Sequence, residues 1–330
     1  MPRPPDATAP DGTPLLEAQA LTKHFTVRRG ALGWSTAVVR AVDAISFTIE
    51  AGTTLGLVGE SGCGKTTTSK LILGLERPTD GAIRFEGRDV NALGRAGERE
   101  YRRFVQAVFQ DPYGSLDPRM RVAAIVAEPL VINSDLDVAG RRRRVAELLD
   151  VVGLPERAAT LYPHEFSGGQ RQRIAVARAL ALSPKLIVLD EPVSALDVSI
   201  RAQVLNLLTD LQKRLGVSYL FIAHDLAAVG HMSHTIAVMY LGRIVELGEA
   251  DAVALQPQHP YTRALFAAAM PIDLDAPQEA LPLAGEVPSP LSPPAGCRFH
   301  PRCPFAMDRC AVESPALRME AGRLVACHLY

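Results

Sequence analysis

The sequence has no hydrophobic run long enough to cross a membrane, since no stretch approaches the roughly 18 apolar residues of a transmembrane helix. Residues 1–14 are rich in proline, aspartate and threonine and lack the apolar centre of a signal peptide, so we expect a disordered leader there. Charge of one sign is not in excess either: the formal net charge is −1, which gives no indication of nucleic-acid binding. We therefore expect a cytosolic protein whose contact with a membrane depends on a partner.

Cysteine is scarce, with five residues in the chain, and cytosolic proteins rarely form disulfides. Four of the five lie between Cys297 and Cys327, after a stretch in which proline is frequent from residue 257 to residue 294. The composition thus changes after about residue 250. We predict a separate C-terminal extension over residues 251–330, joined by an extended, proline-rich linker.

Short apolar runs alternate with helical patterns over residues 15–250, which is typical of an α/β domain. Three runs are predicted to be buried strands: residues 55–59, 186–190 and 219–223. A mostly helical stretch lies between two of them. We predict an α/β fold with a mixed sheet and a helical subdomain over about residues 111–182.

A phosphate-binding loop is indicated by Gly59-Glu-Ser-Gly-Cys-Gly-Lys65-Thr66, which matches the P-loop pattern without a mismatch. Glycines allow successive backbone N–H groups to point at phosphate oxygens, and the following helix adds the positive end of its dipole. Lys65 can reach the β- and γ-phosphates, and the Thr66 hydroxyl can bind Mg²⁺. The alternative, a glycine-rich turn before a helix, explains less of the pattern. We interpret Cys63 as a small residue of the loop and not as a ligand.

Two adjacent carboxylates end a predicted strand at Asp190 and Glu191. The first can hold the Mg²⁺ shell, and the second can polarise the attacking water as a general base. An apolar run that ends in Asp-Glu is common by itself, but it becomes informative after a P-loop.

A second glycine motif, Phe166-Ser167-Gly168-Gly169-Gln170, resembles the signature of the ABC ATPase superfamily. Ser167 and two glycines open a helix, which creates a second helix N-terminus suited to anions. In that family the motif closes over the γ-phosphate held by a partner subunit. The resemblance covers about residues 15–248 and implies an ABC-type ATPase with ATP and Mg²⁺ as ligands.

The remaining family motifs occur in the expected order. Gln110 resembles the Q-loop glutamine, residues 194–197 resemble the D-loop, and His224 resembles the switch histidine that contacts the γ-phosphate. Phe25 lies where the family stacks an aromatic ring on adenine. Trp34 is the alternative, in what we predict to be a hairpin before residue 42.

Together these motifs define the predicted site. The predicted catalytic residues are Lys65, Glu191 and His224, and the predicted Mg²⁺ ligands are Thr66, Gln110 and Asp190. The predicted ATP-binding residues are Phe25, Gly59, Glu60, Ser61, Gly62, Cys63, Gly64, Lys65, Thr66, Thr67, Gln110, Ser167, Gly168, Gly169, Gln170 and Asp197.

A narrower resemblance is to the ATP-binding subunits of dipeptide and oligopeptide permeases, which are grouped with nickel and glutathione importers. It rests on residues 108–119, residues 239–248 and His259-Pro-Tyr-Thr-Arg-Ala-Leu265. Tyr113-Gly-Ser-Leu116 resembles the second of the two non-identical ATPase subunits that such importers carry. The resemblance implies ATP-driven uptake of di- and oligopeptides with a non-identical partner ATPase, two transmembrane permease subunits and an extracytoplasmic solute-binding protein. It also implies a place on the cytoplasmic face of the inner membrane. The rival class, soluble ABC ATPases that act on ribosomes or DNA, usually carries two nucleotide domains or a coiled-coil insertion, and this chain has neither.

The C-terminal cysteines Cys297, Cys303, Cys310 and Cys327 resemble the corresponding region of the same permease ATPases, some of which carry a [4Fe–4S] cluster. Four thiolates suit that cluster or tetrahedral zinc. The sequence has no C-x₂-C knuckle in this segment, and His300 and His328 keep a mixed site open. The alternatives are a cluster, zinc, or reduced cysteines that only pack. A regulatory metal module as the main activity is a further, subordinate hypothesis.

Overall fold

The structure is a computed structural model that describes residues 12–29, 35–110, 112–268 and 285–330. Most of the predicted leader and Trp34 lie outside the described residues. Among the described residues, no helix combines the length and the apolar character that crossing a membrane requires.

The described residues form two sheets, surrounded by helices. The strands are β1 Leu16–Arg29, β2 Ser35–Ile49, β3 Thr54–Val58, β4 Asp80–Phe85, β5 Arg88–Asp89, β6 Val105–Val108, β7 Leu186–Asp190, β8 Ser218–Ile222, β9 Thr235–Tyr240, β10 Arg243–Glu249, β11 Arg318–Glu320 and β12 Arg323–Val325. The α-helices are α1 Lys65–Ile72, α2 Arg95–Phe104, α3 Pro112–Ser115, α4 Val122–Asn133, α5 Val138–Val151, α6 Gly168–Ala179, α7 Val198–Leu215, α8 Leu226–Met232, α9 Ala250–Leu255, α10 Pro260–Ala267 and α11 Asp308–Val312. Short 3₁₀ helices span Val90–Ala92, Glu156–Thr160, Pro163–Glu165, Leu180–Leu182 and His300–Arg302.

The larger sheet has eight strands in the order β11-β12-β10-β9-β3-β8-β7-β6. Strands β9, β3, β8, β7 and β6 run parallel, and β10, β12 and β11 add antiparallel neighbours, so the sheet is mixed as predicted. Strands β3, β7 and β8 are buried along their whole length, which is why they read as continuous apolar runs in the sequence. The smaller, antiparallel sheet has the order β2-β1-β4-β5, and its β1–β2 pair is the predicted hairpin.

Parallel strand order places the functional segments together. The carboxyl ends of β3, β8, β7 and β6 lie along one edge of the sheet, because these neighbouring strands point the same way. Ligand sites of open α/β sheets lie at such an edge. The P-loop follows β3, His224 follows β8, Asp190 ends β7 and Gln110 follows β6.

Helices α4, α5 and α6 lie within the predicted helical subdomain and pack against one another as part of the larger hydrophobic cluster. Ile125, Leu149 and Ile174 are among its fully buried side chains. Each such side chain contributes roughly 1.5–3 kcal/mol through burial.

The C-terminal extension is not set apart from the rest of the chain. Strand β12 pairs with β10, so the extension continues the large sheet. Arg323 of β12 and Glu246 of β10 form a buried ion pair at 3.5 Å, and Glu246 also accepts hydrogen bonds from the backbone N–H groups of Gln258 and His259. Strand pairing and buried charges therefore join the extension to the α/β domain. Residues 269–284 of the predicted linker lie outside the described residues.

Candidate nucleotide-binding site

The phosphate-binding loop connects the buried strand β3 to helix α1, as the sequence predicts. Two of its glycines are required by geometry. Gly59 has a φ of 151° and Gly64 a φ of 116°, and a Cβ added there would lie 2.1 Å from the Met239 carbonyl oxygen or 2.3 Å from that of Ala41, respectively. Any side chain at these positions would force the loop away from the neighbouring backbone.

Lys65 begins α1 and is buried, yet its ammonium group donates to neutral partners of the loop itself. Nζ lies 2.6 Å from the carbonyl oxygen of Gly59 and 3.1 Å from that of Glu60. It also lies 3.7 Å from Cys63 Sγ, and burial raises the pKa of that thiol, which keeps it neutral. A positive charge with these three uncharged partners is suited to an anionic ligand such as a phosphate group.

Asp190 at the end of β7 is largely buried, and Ser69 of α1 donates to its Oδ2 over 3.4 Å. Burial raises the pKa of this carboxyl group, the charge of Glu191 raises it further, and Ser69, Lys65 and Lys70 oppose the rise. A cation stabilises two adjacent carboxylates that are partly shielded from water, and Mg²⁺ prefers oxygen ligands. The donor set therefore fits the expected Mg²⁺.

Glu191 has an unusual backbone conformation, with a φ of 51°. A non-glycine residue in this left-handed region costs roughly 1–3 kcal/mol, and such residues cluster at functional sites. Its backbone N–H donates to the Ile222 carbonyl oxygen at 2.8 Å, which ties it to the end of β8. Its Oε1 lies 2.6 Å from Nε2 of His224, which follows the same strand.

The other predicted Mg²⁺ ligands lie at the accessible part of this edge. Thr66 is exposed in the first turn of α1, and Gln110 is exposed just after β6. The structure thus brings the loop, Asp190, Glu191, His224 and Gln110 to one sheet edge.

The predicted signature motif opens helix α6 with a capping box. Ser167 Oγ accepts from the Gln170 backbone N–H at 3.4 Å, and Gln170 Oε1 accepts from the Ser167 N–H at 3.0 Å. Gly169 is buried, and a Cβ there would lie 2.3 Å from Ile200 Cγ2 of α7. The small residue thus lets α6 approach α7, whose N-cap is Asp197 of the predicted D-loop.

Phe25 is half-buried on strand β1, where the Nζ atom of Lys23 lies 4.9 Å from its ring centre. The ring therefore already contacts a cation. Its stacking on adenine stays a prediction.

Two residues that contact the loop were given no role by the sequence. Arg302 forms an ion pair with the Glu60 carboxylate, and the Tyr261 hydroxyl accepts from the Glu60 backbone N–H. Both belong to segments that carry the family resemblance. No sequence signal links them to the loop, because they lie more than 200 residues away along the chain.

The predicted metal at the C-terminal cysteines lacks support. Among the residues that the structure describes, no group of three or more His, Cys, Asp or Glu side chains is placed to hold a metal ion. Burial, followed by the charges of the other three thiols, raises the pKa of Cys297 to about 11. Cys310 is buried and Cys297, Cys303 and Cys327 are partly exposed, and their placement gives no support to the predicted [4Fe–4S] cluster or zinc.

Comparisons with known proteins show which families this sequence matches. Residues 42–194 match the family described as ABC transporter, and residues 245–310 match the family described as oligopeptide/dipeptide transporter, C-terminal region. The di/tripeptide transport ATP-binding protein DppF of Pseudomonas aeruginosa is 50% identical over 95% of this chain and 97% of its own length. The dipeptide transport ATP-binding protein DppF of Escherichia coli is 48% identical over 95% of this chain and 94% of its own.

A solved structure is also similar. It is the dimeric post-hydrolysis state of the ATP-binding cassette MJ0796, bound to ADP and Pi. It aligns with a TM-score of 0.62 and 28% identity, over 71% of this chain and 98% of that chain.

Proposed function

Because this chain belongs to the ATP-binding proteins of dipeptide and oligopeptide ABC transporters, we propose that it powers the uptake of di- and oligopeptides through separate membrane subunits. The predicted family resemblance and the predicted P-loop α/β fold are confirmed by these matches. The chain is an ABC-type ATPase that hydrolyses ATP to ADP and phosphate.

The arrangement at the sheet edge supports a division of roles in hydrolysis. Lys65 and the loop N–H groups bind the β- and γ-phosphates and stabilise charge on the transferring phosphoryl group. Glu191 accepts the proton of the attacking water, so that no covalent protein intermediate forms. His224 orients Glu191 and contacts the γ-phosphate.

Thr66, Gln110 and Asp190 would hold Mg²⁺, directly or through water. When bound, the ion neutralises phosphate charge. The position of Asp190 supports this assignment, because its carboxylate is largely buried next to Glu191 and a cation there would offset the repulsion between the two.

The signature helix supports a two-subunit nucleotide sandwich. In this proposal Ser167, Gly168, Gly169 and Gln170 contact the γ-phosphate held by a second, non-identical ATPase, and Asp197 lies at the same interface. Two permease subunits place the pair on the cytoplasmic face of the inner membrane, and an extracytoplasmic binding protein delivers the solute. Nothing in the charge or the motifs favours nucleic acid as a partner.

The observation that carries the proposal is the convergence of Lys65, Asp190, Glu191 and His224 at the carboxyl edge of the parallel strands. The test is reconstitution of the chain with its partner ATPase and permease subunits in proteoliposomes. ATP hydrolysis should rise when a peptide and the binding protein are added, and labelled peptide should accumulate. A complex with Glu191→Gln is the control, and peptide uptake that persists without hydrolysis would overturn the proposal.

The metal at the cysteines stays a prediction that the structure does not support. Metal analysis of the purified protein tests it independently of the ATP site. About four irons per chain in anaerobically purified protein would restore the [4Fe–4S] cluster. Stoichiometric zinc would select the zinc alternative. If neither metal is found, the four cysteines are packing residues: Cys297, Cys303, Cys310 and Cys327.

A further inference from the structure

The side chain of Glu60, the second residue of the phosphate-binding loop, is paired with an arginine from the C-terminal extension. The two terminal nitrogens of Arg302 lie 2.8 Å from Oε2 and 3.1 Å from Oε1 of Glu60. This is a bidentate contact, in which the planar guanidinium donates to both carboxylate oxygens. The Arg302 side chain is only 5% exposed and that of Glu60 is 24% exposed, so water screens the pair incompletely.

The main chain of Glu60 is held as well. Its N–H donates to the Tyr261 hydroxyl at 2.8 Å, and its carbonyl oxygen accepts from Lys65 Nζ at 3.1 Å. One N–H group of the loop therefore points at a tyrosine of α10. The carboxylate, the N–H and the carbonyl oxygen of Glu60 each have a partner, and two of the three partners come from beyond residue 257.

An aromatic cluster fixes these partners. The rings of Tyr240, Tyr261 and Phe299 lie 4.7 to 5.5 Å apart, centre to centre. Arg302 also donates to the Tyr240 hydroxyl at 3.4 Å, and its guanidinium lies 5.9 Å from the Tyr240 ring centre. The cluster is buried, so the arginine cannot move away from the loop without disturbing the packing of three rings.

A second arginine of the same segment contacts a turn that is itself hydrogen-bonded to the loop. Arg298 is paired with Asp43 of β2 and donates to the Leu241 carbonyl oxygen. The next residue, Gly242, donates its N–H to the carbonyl oxygen of Cys63 in the loop at 2.8 Å. The segment from Cys297 to Cys303 thus contacts the loop directly through Arg302 and is connected to it indirectly through Arg298, Leu241 and Gly242.

Charge explains why this pairing matters for a nucleotide. A free carboxylate at Glu60 would repel the triphosphate that the loop receives, and the repulsion would be strong where water is partly excluded. Arg302 cancels that charge and fixes the carboxylate. We propose that Arg302 and Tyr261 are positioning residues of the phosphate-binding loop, through which the C-terminal extension sets the affinity of the site for ATP. This inference rests on the proposed function, in that it takes the loop to be the ATP site.

The experiment measures MgATP binding to the full chain by calorimetry and steady-state hydrolysis by the assembled complex. Arg302→Ala should weaken ATP binding by at least about tenfold, because removing one partner of a desolvated pair leaves the other charge unpaired. The loss should appear in KM and leave kcat nearly unchanged. Arg309→Ala is the matched control, since that arginine lies in the same extension, half-exposed, and pairs with Glu313 at 3.4 Å.

A rescue variant separates charge from folding. Glu60→Gln placed in the Arg302→Ala background should recover most of the lost affinity, because it removes the unpaired carboxylate. Unchanged ATP affinity in Arg302→Ala, or no recovery in the double variant, would overturn the inference. Lys65→Ala serves as the reference: if it also leaves ATP binding unchanged, the ATP site itself has been misassigned and the proposed function fails. If Lys65→Ala weakens ATP binding and Arg302→Ala does not, only the role of the extension is refuted.

Discussion

His224 Nε2 lies 2.6 Å from Glu191 Oε1, which couples the ends of two neighbouring parallel strands, β7 and β8. The contact orients the carboxylate that is proposed to act as general base. The backbone of Glu191 supports the same arrangement, since its left-handed conformation is held by the hydrogen bond to Ile222. A strained backbone and a short side-chain contact thus hold the same residue in place.

Glu191→Gln should leave MgATP binding intact and lower hydrolysis by at least about 10²-fold, the usual scale for a lost general base. The amide keeps the shape of the side chain but cannot accept the proton of water. Binding is measured by calorimetry and turnover in the assembled complex. Turnover near that of wild type would remove Glu191 from the catalytic role.

His224→Ala should lower kcat by roughly 10²-fold with a smaller effect on the KM for ATP, because the contact matters most as charge develops on the phosphate. If His224 acts through Glu191, the double change with Glu191→Gln should cost little more than Glu191→Gln alone. Fully additive losses would show that the two side chains work independently. Steady-state kinetics of the three variants decides between these outcomes.

Lys65→Ala should weaken nucleotide binding itself by roughly ten- to a hundredfold, since it removes a charged donor from the loop. Lys213→Ala is the matched control, because Lys213 is exposed in the last turn of α7. Calorimetry with MgATP is the measurement. Equal affinities for the two variants would contradict the assignment of the loop.

The isolated subunit should hydrolyse ATP slowly, and addition of the partner ATPase and permease subunits should raise the rate by roughly 10²-fold, the scale of one missing transition-state contact. The reason is that each signature helix is proposed to act on the nucleotide of the other subunit. The rate per subunit is measured against protein concentration and against added partner. Fast hydrolysis by a proven monomer, independent of concentration, would rule out the sandwich.

Acid should destabilise the fold through His259, whose pKa is lowered to about 3 by burial and, to a lesser extent, by Arg263. Its Nδ1 accepts from the Tyr261 N–H at 3.0 Å, so the native state needs the neutral ring. The unfolded chain takes up a proton below pH ~6.5, whereas the folded chain does so only near pH ~3, so this contribution to stability is complete above pH ~6.5. Between those values it falls by about 1.4 kcal/mol per pH unit.

The test compares wild type with His259→Asn, which keeps a side-chain acceptor at the start of α10. Urea unfolding is followed at pH 7, 6 and 5. Asparagine does not titrate there, so the stability of the variant should fall less steeply with acid than that of wild type. Parallel curves for the two proteins would show that His259 does not sense pH.

The sequence by itself determined the features that are local or that repeat along the chain. The phosphate-binding loop is one contiguous motif. Its glycines and Lys65 lie within eight consecutive residues that end in the first turn of a helix. Strands β3, β7 and β8 were visible because strands buried on both faces must be apolar throughout. The capping box between Ser167 and Gln170 also spans a single helical turn.

Tertiary structure decided which distant side chains meet. The pairing of Glu191 with His224 follows from β7 lying beside β8, and that of Arg302 with Glu60 joins residues 242 positions apart. A separate extension was expected because a proline-rich stretch is typical of a linker, whereas the short strand β12 pairs with β10. Strand pairing of this kind leaves no periodic signal in a sequence, because its hydrogen bonds are made by the backbone and its ion pairs depend on the completed sheet.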